Sequence, residues 1–291
     1  MNNRREVVKN LLVGTTGLLI SDKLFSKMKM NNEQMSGWKG NIHHSACRWC
    51  FSDIELEPLC KNFNQLGIKA MDLVGPKDWP ILKKYNLDSS MCNGAEISLT
   101  EGFADKKYHE ILIKNYTEHI DLVAKAGYKN LICFSGSRRG MDDETGWKNC
   151  VEGLQKLMPI AEKKGVTLVM ELLNSKLNHK DYMCDRTWWG AELCKRLGSE
   201  NFKLLFDIYH MQIDEGDIIQ NIRDFHPYIN HYHTAGVPGR HEIDATQELN
   251  YPAIMKAILA TGFDGYVAQE FIPTKKDQMK ALKECVSICD I

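Results

Sequence analysis

An alternation of short apolar runs and longer mixed segments, repeated eight times from residue 41 onward, most constrains the fold of this chain. The short runs have the length of buried strands, and the longer segments have the length of helices. Glycine, which is favoured just after a helix, ends several of the longer segments, at Gly67, Gly127, Gly165, Gly198 and Gly262. Eight strand–helix pairs predict a (β/α)8 TIM barrel.

The eight predicted strands are Ile42–Ala46, Lys69–Val74, Ser89–Asn93, Asn130–Ser135, Thr167–Glu171, the run Leu204–Phe206 that leads into Asp207, Tyr228–His233 and Gly265–Glu270. The predicted helices are Asp53–Leu66, Asp78–Tyr85, Lys106–Lys125, Thr145–Lys164, Thr187–Leu197, Ile218–His226, Tyr251–Thr261 and Lys275–Ile288. An open nucleotide-binding sheet is disfavoured, because no G-x-G-x-x-G follows the first strand and no G-x-x-x-x-G-K-[ST] occurs.

Residues 1–40 differ from this pattern and predict an N-terminal extension, with the catalytic barrel in residues 41–291. Arg4 and Arg5 precede the weakly apolar run Leu11–Ile20, as in a twin-arginine export signal. That run is too short to span a bilayer, so stable membrane insertion is not expected. A frayed amphipathic helix is the other interpretation, and both a periplasmic and a cytoplasmic location remain open.

The net charge indicates the class of partner, and the distribution of cysteines indicates the redox state of the thiols. A net charge of -1 offers no basic field for nucleic acid, so a small-molecule partner is expected. The ten cysteines are scattered through predicted strands and helices, which is typical of reduced, buried thiols. The sequence leaves the oligomeric state open, a homo-oligomer included.

Four consecutive predicted strands end in a side chain that could bind a metal. They carry Glu171, Asp207, His233 and Glu270. In a barrel these ends converge at the C-terminal mouth, so we expect the four side chains to share one cation. Three carboxylates and an imidazole, without a thiolate, suit Mn²⁺ or Mg²⁺.

Two further residues are expected near this site. His210 follows Asp207 by three residues, which predicts that it stands at the start of the next loop and contacts a substrate oxygen. Arg240 lies on a glycine-rich loop after the seventh strand, where its guanidinium could bind a substrate carboxylate or hydroxyls. A solvated loop position is the alternative for both. His231 is expected to be a core histidine.

Paired glutamates at a metal suit proton transfer next to a carbonyl. One glutamate would take a proton from the carbon beside the carbonyl while the cation stabilises the developing enediolate, and the other would return a proton to the neighbouring carbon. Glu171 and Glu270 are the candidates for these two roles.

The segments M-E-L-L-N, F-D-I-Y-H-M-Q, A-G-V-P-G-R-H-E and Q-E-F, over residues 41–291, resemble the xylose-isomerase-like barrel superfamily and, within it, hydroxypyruvate isomerases. This resemblance implies an aldose–ketose-type isomerase that interconverts hydroxypyruvate and tartronate semialdehyde. It also implies catalysis by Glu171 and Glu270, metal ligation by those two with Asp207 and His233, and substrate contacts from His210 and Arg240.

Two alternatives remain. A histidine at position 233, where hydroxypyruvate isomerases often have glutamine, is more similar to ketose 3-epimerases that act on tagatose or psicose. Abasic-site endonucleases of the same superfamily use more histidines, here His43, His44, His109 and His179, but the nearly neutral charge does not favour DNA.

Overall fold

Eight parallel strands close into a barrel in a computed structural model that describes residues 37–291. Each strand pairs with the next in the sequence, and the last pairs with the first. The strands are β1 His43–Cys47, β2 Ala70–Val74, β3 Asp88–Cys92, β4 Asn130–Cys133, β5 Thr167–Glu171, β6 Phe202–Asp207, β7 Ile229–Thr234 and β8 Tyr266–Gln269. The predicted (β/α)8 TIM barrel is confirmed.

Ten α-helices accompany the strands within the described residues. They are α1 Leu56–Leu66, α2 Trp79–Lys84, α3 His109–Ala126, α4 Asp143–Leu154, α5 Met158–Lys164, α6 Thr187–Leu197, α7 Ile208–Asp214, α8 Ile218–Phe225, α9 Tyr251–Ala260 and α10 Gln278–Cys289. Short 3-10 turns cover Arg48–Phe51, Lys106–Tyr108 and His226–Tyr228. Glycines in the left-handed region end α1, α3, α5 and α6 at four of the predicted positions, since glycine has no Cβ to oppose a positive φ.

The strands are largely buried, as expected for a parallel sheet that is covered by helices. In β5, Leu168, Val169 and Met170 have no exposed surface. The helices bury one apolar face. For example, α8 buries Ile218 and Ile222, which are four residues apart and therefore lie on the same face of the helix. The strands are therefore packed on both faces, and they hold the backbone of the residues at their ends in place.

One predicted helix is wrong in its extent. Thr145–Lys164 is divided into α4 and α5, and a break lies between Leu154 and Met158. Pro159 occupies the first turn of α5, where its missing N–H costs nothing, whereas inside a continuous helix it would remove a backbone hydrogen bond.

All ten cysteines are buried and free, in agreement with the expected reduced thiols. None of the helices within residues 37–291 is long and apolar enough to cross a membrane. The twin-arginine signal predicted in residues 1–20 lies outside the described residues, and the division at residue 40 stays a prediction.

Candidate active site

The four predicted ligand side chains meet at the C-terminal mouth of the barrel. Glu171 and Asp207 are the last residues of β5 and β6, His233 is the penultimate residue of β7, and Glu270 directly follows β8. One ligand atom from each lies within 4.8 Å of the others. His233 Nδ1 is 2.9 Å from Glu270 Oε2, 3.4 Å from Glu171 Oε1 and 4.0 Å from Asp207 Oδ2. The predicted convergence is therefore present.

The donor set is suitable for a divalent cation. All four side chains are buried, and Glu171 Oε1 has no hydrogen-bond partner among the described residues. Buried carboxylates without a partner are costly, so one that faces two others and an imidazole nitrogen indicates that a positive charge belongs there. Oxygen-rich sets with one imidazole match the hard divalent metals. These residues could therefore hold a metal ion.

The pKa shifts of the clustered carboxyl groups also indicate that the site suits a cation. Burial raises the pKa of Asp207 to about 8, against the attraction of Arg240 and together with repulsion from Glu270. Burial, followed by the Glu270 charge, also raises the pKa of Glu171, although the nearby His233 imidazole opposes the shift. Without a cation, protonation of these two carboxylic acids removes the repulsion.

His233 and Glu270 shift in the opposite sense. Burial favours neutral His233, but the Glu270 charge together with the contacts to Asp72, Glu171 and Glu270 outweighs it and raises the pKa of His233 well above its ordinary value. Burial likewise opposes ionisation of Glu270, whereas the charges of His233 and Arg240 hold its pKa well below the usual range. The two side chains therefore form an ion pair in the absence of a metal.

His210 is not at the start of a loop, and this prediction was wrong. It lies in the first turn of α7 and is fully buried. The helix begins here because Asp207 caps it: Oδ1 of Asp207 accepts from the backbone N–H of His210 at 3.0 Å. Its Nδ1 lies 2.6 Å from the side-chain nitrogen of Asn174, so Nδ1 accepts and Nε2 carries the proton of the neutral ring. Nε2 has no hydrogen-bond partner within residues 37–291 and lies 3.7 Å from Asp207 Oδ2.

Arg240 extends from the loop after β7 into the cluster. Its backbone has a φ of +60°, a conformation that non-glycine residues rarely adopt. Its Nη2 lies 2.6 Å from Glu270 Oε2 and 3.6 Å from Asp207 Oδ2. The guanidinium lies over the rings of Trp49 and Tyr209, at 5.2 and 5.5 Å from their centroids. Arg240 is therefore a partly buried residue of the cluster rather than a fully solvated one.

Trp49 and Asp72 were not singled out from the sequence, and His179 was named there only for the endonuclease alternative. Trp49 donates its indole N–H to Glu270 Oε1 at 2.8 Å, and Asp72 Oδ1 lies 3.0 Å from Nε2 of His233. His179 stacks edge-on against His210, with ring centroids 5.1 Å apart. The acidic residue inside the otherwise apolar strand β2 was a usable signal for Asp72, whereas Trp49 lies in the short 3-10 turn after β1, where the sequence gives no such signal. His231 is a core histidine, as expected.

Residues 80–285 match a family model that is described as a xylose isomerase-like TIM barrel, and this covers more than half of the chain. The chain belongs to this family. Among solved structures, an AP endonuclease of family 2 from Brucella melitensis superposes on this xylose isomerase-like barrel with a TM-score of 0.74 and 22% identity, over 83% of this chain and 97% of that one. D-psicose 3-epimerase from Clostridium cellulolyticum H10, solved with D-tagatose, gives a TM-score of 0.65 and 18% identity, over 86% of this chain and 94% of that one. At these identities the likeness concerns the fold alone.

Curated relatives of this xylose isomerase-like chain are isomerases by name. A 2-oxo-tetronate isomerase from Cupriavidus necator is 37% identical over 123 residues, which is 42% of this chain and 46% of that protein. A Homo sapiens protein named "Putative hydroxypyruvate isomerase" is 30% identical over 123 residues, 42% of this chain and 44% of that protein. The matches thus extend over about half the length of these relatives.

Proposed function

We propose that this protein is a metal-dependent isomerase that interconverts an α-hydroxycarbonyl pair by proton transfer, with hydroxypyruvate and tartronate semialdehyde as the substrate pair. The observation that carries the proposal is the convergence of two buried glutamates, Glu171 and Glu270, with Asp207 and His233 on one point at the barrel mouth. The names of the curated relatives support the same class of reaction.

Glu171, Asp207, His233 and Glu270 would hold the cation, and their oxygen-rich set favours Mn²⁺ or Mg²⁺. A bound divalent ion supplies positive charge that lowers the free energy of an anionic transition state. The three carboxylates and the imidazole would fix the position of the cation, because their backbone atoms lie on barrel strands or directly after one.

Proton transfer is assigned to the two glutamates. In one direction, one carboxylate removes a hydrogen from C3 of hydroxypyruvate, and the electron pair of that C–H bond forms the C2–C3 double bond of an enediolate. A proton moves from the C3 hydroxyl to the C2 oxygen, and the second glutamate delivers a proton to C2, which gives the aldehyde. Positioned acid–base groups of this kind contribute about 10²–10⁴-fold in rate.

His210 and Arg240 are assigned to the substrate oxygens. The Nε2–H of His210 and the Nε–H of Arg240 are buried donors without a partner among the described residues, and a substrate oxygen would satisfy each. A keto acid also brings a carboxylate, for which Arg240 supplies the complementary charge. Trp49 and Tyr209 flank the guanidinium and limit its movement.

A ketose 3-epimerase is the second candidate, since it needs the same pair of glutamates with protons exchanged at a single carbon. A D-psicose 3-epimerase from Ruminiclostridium cellulolyticum is 29% identical over 134 residues, which is 45% of this chain and 43% of that protein. DNA is not favoured as a substrate, because the net charge is -1.

The test is a substrate screen of the Mn²⁺- and Mg²⁺-loaded protein with hydroxypyruvate, 2-oxo-tetronate and free six-carbon ketoses. We expect turnover of the keto acids and a loss of about 10²-fold or more in Glu171→Gln and Glu270→Gln. Glu57→Gln is the control, because Glu57 is exposed and is paired with Lys84 instead of with a residue of the cluster.

Preference for ketoses would replace the hydroxypyruvate assignment with the epimerase. Full turnover in both glutamine variants would rule out the two-glutamate mechanism.

A further inference from the structure

The imidazole of His233 contacts carboxylates through both ring nitrogens. Nδ1 faces Glu171, Asp207 and Glu270, whereas Nε2 lies 3.0 Å from Asp72 Oδ1, on the side of the ring away from that cluster. Both His233 and Asp72 are fully buried. Because both side chains are shielded from solvent, Asp72 and not bulk water is the partner of Nε2.

Asp72 is itself held by further donors. Ser90 Oγ donates to Asp72 Oδ2 at 2.6 Å, and Nε2 of His231 lies 2.8 Å from the same oxygen. Ser90 is on β3 and His231 is on β7, so the carboxylate is fixed from two sides of the barrel interior. Its Oδ1 remains directed at His233.

The backbone of β2 is distorted where it presents this carboxylate. Leu73, the next residue, has a φ of +54°, which is rare for a leucine. The register between β2 and β3 shifts on both sides of Asp72, which is the pattern of a bulge. Bulges redirect side chains, and unusual backbone angles persist where the surrounding structure imposes them.

A carboxylate at one ring nitrogen determines which tautomer a neutral histidine adopts. With Asp72 as acceptor, Nε2 carries the hydrogen. Nδ1 then keeps a lone pair that points at the carboxylates of Glu171, Asp207 and Glu270. Without it, the hydrogen can stand on Nδ1, where it blocks ligation. A carboxylate behind a metal-bound histidine plays this role in many metal sites.

We propose that Asp72 is a positioning residue that fixes the orientation and tautomer of His233 for metal binding, with Ser90 and His231 holding Asp72 in turn. This inference rests on the metal site of the proposed function, but it concerns metal affinity and not the identity of the substrate.

The experiment measures Mn²⁺ binding to the full chain by electron paramagnetic resonance titration, in the wild type, Asp72→Asn and Ser90→Ala. We expect one Mn²⁺ per chain and an affinity that is about 10- to 100-fold weaker in Asp72→Asn. The asparagine amide can donate to Nε2 and so reverse the tautomer. Ser90→Ala removes one of the hydrogen bonds that hold Asp72 but leaves the Asp72 contact to Nε2, so it should weaken the affinity less than Asp72→Asn does.

Wild-type affinity in Asp72→Asn would overturn the proposal. Two Mn²⁺ ions in the wild type and one in Asp72→Asn would overturn it as well, because Asp72 would then be a ligand. Should Asp72→Asn fail to fold, ¹⁵N spectra of the histidine rings in the Mg²⁺-loaded wild type decide: a hydrogen on Nε2 of His233 is expected, and a hydrogen on Nδ1 would refute the inference. Failure of the substrate screen together with weakened Mn²⁺ binding in Asp72→Asn would refute the proposed reaction but not this role.

Discussion

Arg240 Nη2 lies 2.6 Å from Glu270 Oε2, so the loop after β7 is joined to the end of β8 by a partly buried ion pair. The same guanidinium is 3.6 Å from Asp207. Attraction by these carboxylates, which exceeds the opposing effect of burial, raises the pKa of Arg240 above its already high value. A permanent positive charge therefore lies beside Glu270 and Asp207, and its removal has consequences for both stability and substrate binding.

Arg240→Met should destabilise the metal-free protein by about 1.5–3 kcal/mol, because Glu270 loses a charged hydrogen bond and keeps His233 as its positively charged partner. It should also lower kcat/KM for hydroxypyruvate, and Arg240→Lys should recover only part of the loss, since an ammonium lacks the planar fork. Chemical denaturation and steady-state kinetics measure the two effects. Unchanged kcat/KM in Arg240→Met would contradict a role in substrate binding.

Mn²⁺ should stabilise the folded protein. At a concentration of one hundred times Kd, binding adds about 2.7 kcal/mol, which for a chain of this size corresponds to a rise in Tm of about 5–10 °C. Differential scanning fluorimetry with and without Mn²⁺ measures the shift. Asp207→Asn removes one of the four candidate ligands and should reduce the rise in Tm that Mn²⁺ causes. An equal shift in Asp207→Asn would count against the proposed ligand set.

Trp49→Phe should lower kcat/KM by about tenfold, because Glu270 loses a hydrogen bond to a charged oxygen that is worth about 1.5 kcal/mol or more. Trp188→Phe is the matched control: Trp188 is 45% exposed, similar to the 40% of Trp49, and it packs against Trp147 instead of the cluster. Steady-state kinetics compare the two variants. Equal effects would assign the Trp49 result to general packing.

Glu242 should give a pH-dependent contribution to stability. Burial alone would raise the pKa of its carboxyl, but hydrogen bonds, including those from the backbone N–H and hydroxyl of Thr274 and the backbone N–H of Lys275, lower it below the usual value. A lowered pKa in the folded state stabilises the protein above the unfolded value of about 4.3, and this stability is lost as the pH falls through the folded pKa.

Glu242→Gln should therefore be less stable than the wild type at pH 7, and the difference should narrow as the pH falls below about 4.3. Urea denaturation at several pH values measures this difference. Glu248→Gln, at an exposed position of the same loop, should show little change at any pH. A difference between Glu242→Gln and the wild type that stays constant with pH would refute the prediction.

The sequence predicted most of the barrel because its signals are local. Apolar runs of strand length and glycines after helices depend on neighbouring residues only, and they indicated all eight strands. A charged residue at the end of an apolar run is equally local, which is why Glu171, Asp207, His233 and Glu270 were identified before their distances were known. The break between α4 and α5 was missed, although Pro159 was a usable signal for it.

Other features depend on contacts between distant segments. His210 was expected in a loop, but Asp207 starts a helix there by accepting its backbone N–H. Trp49 joins the cluster only because β1 and β8 are neighbours in the closed barrel, which brings residues 221 positions apart within hydrogen-bond distance.

By itself, the sequence determined which side chains lie at the C-terminal ends of the strands, because the apolar run that forms a strand and the polar residue that ends it are neighbours in the chain. Only the tertiary structure decided that His233 lies between Glu270 and Asp72, since ring closure, the bulge at Leu73 and burial from all sides together set the orientation of one imidazole. Such an orientation depends on the sum of many long-range contacts, and no local pattern of residues encodes it.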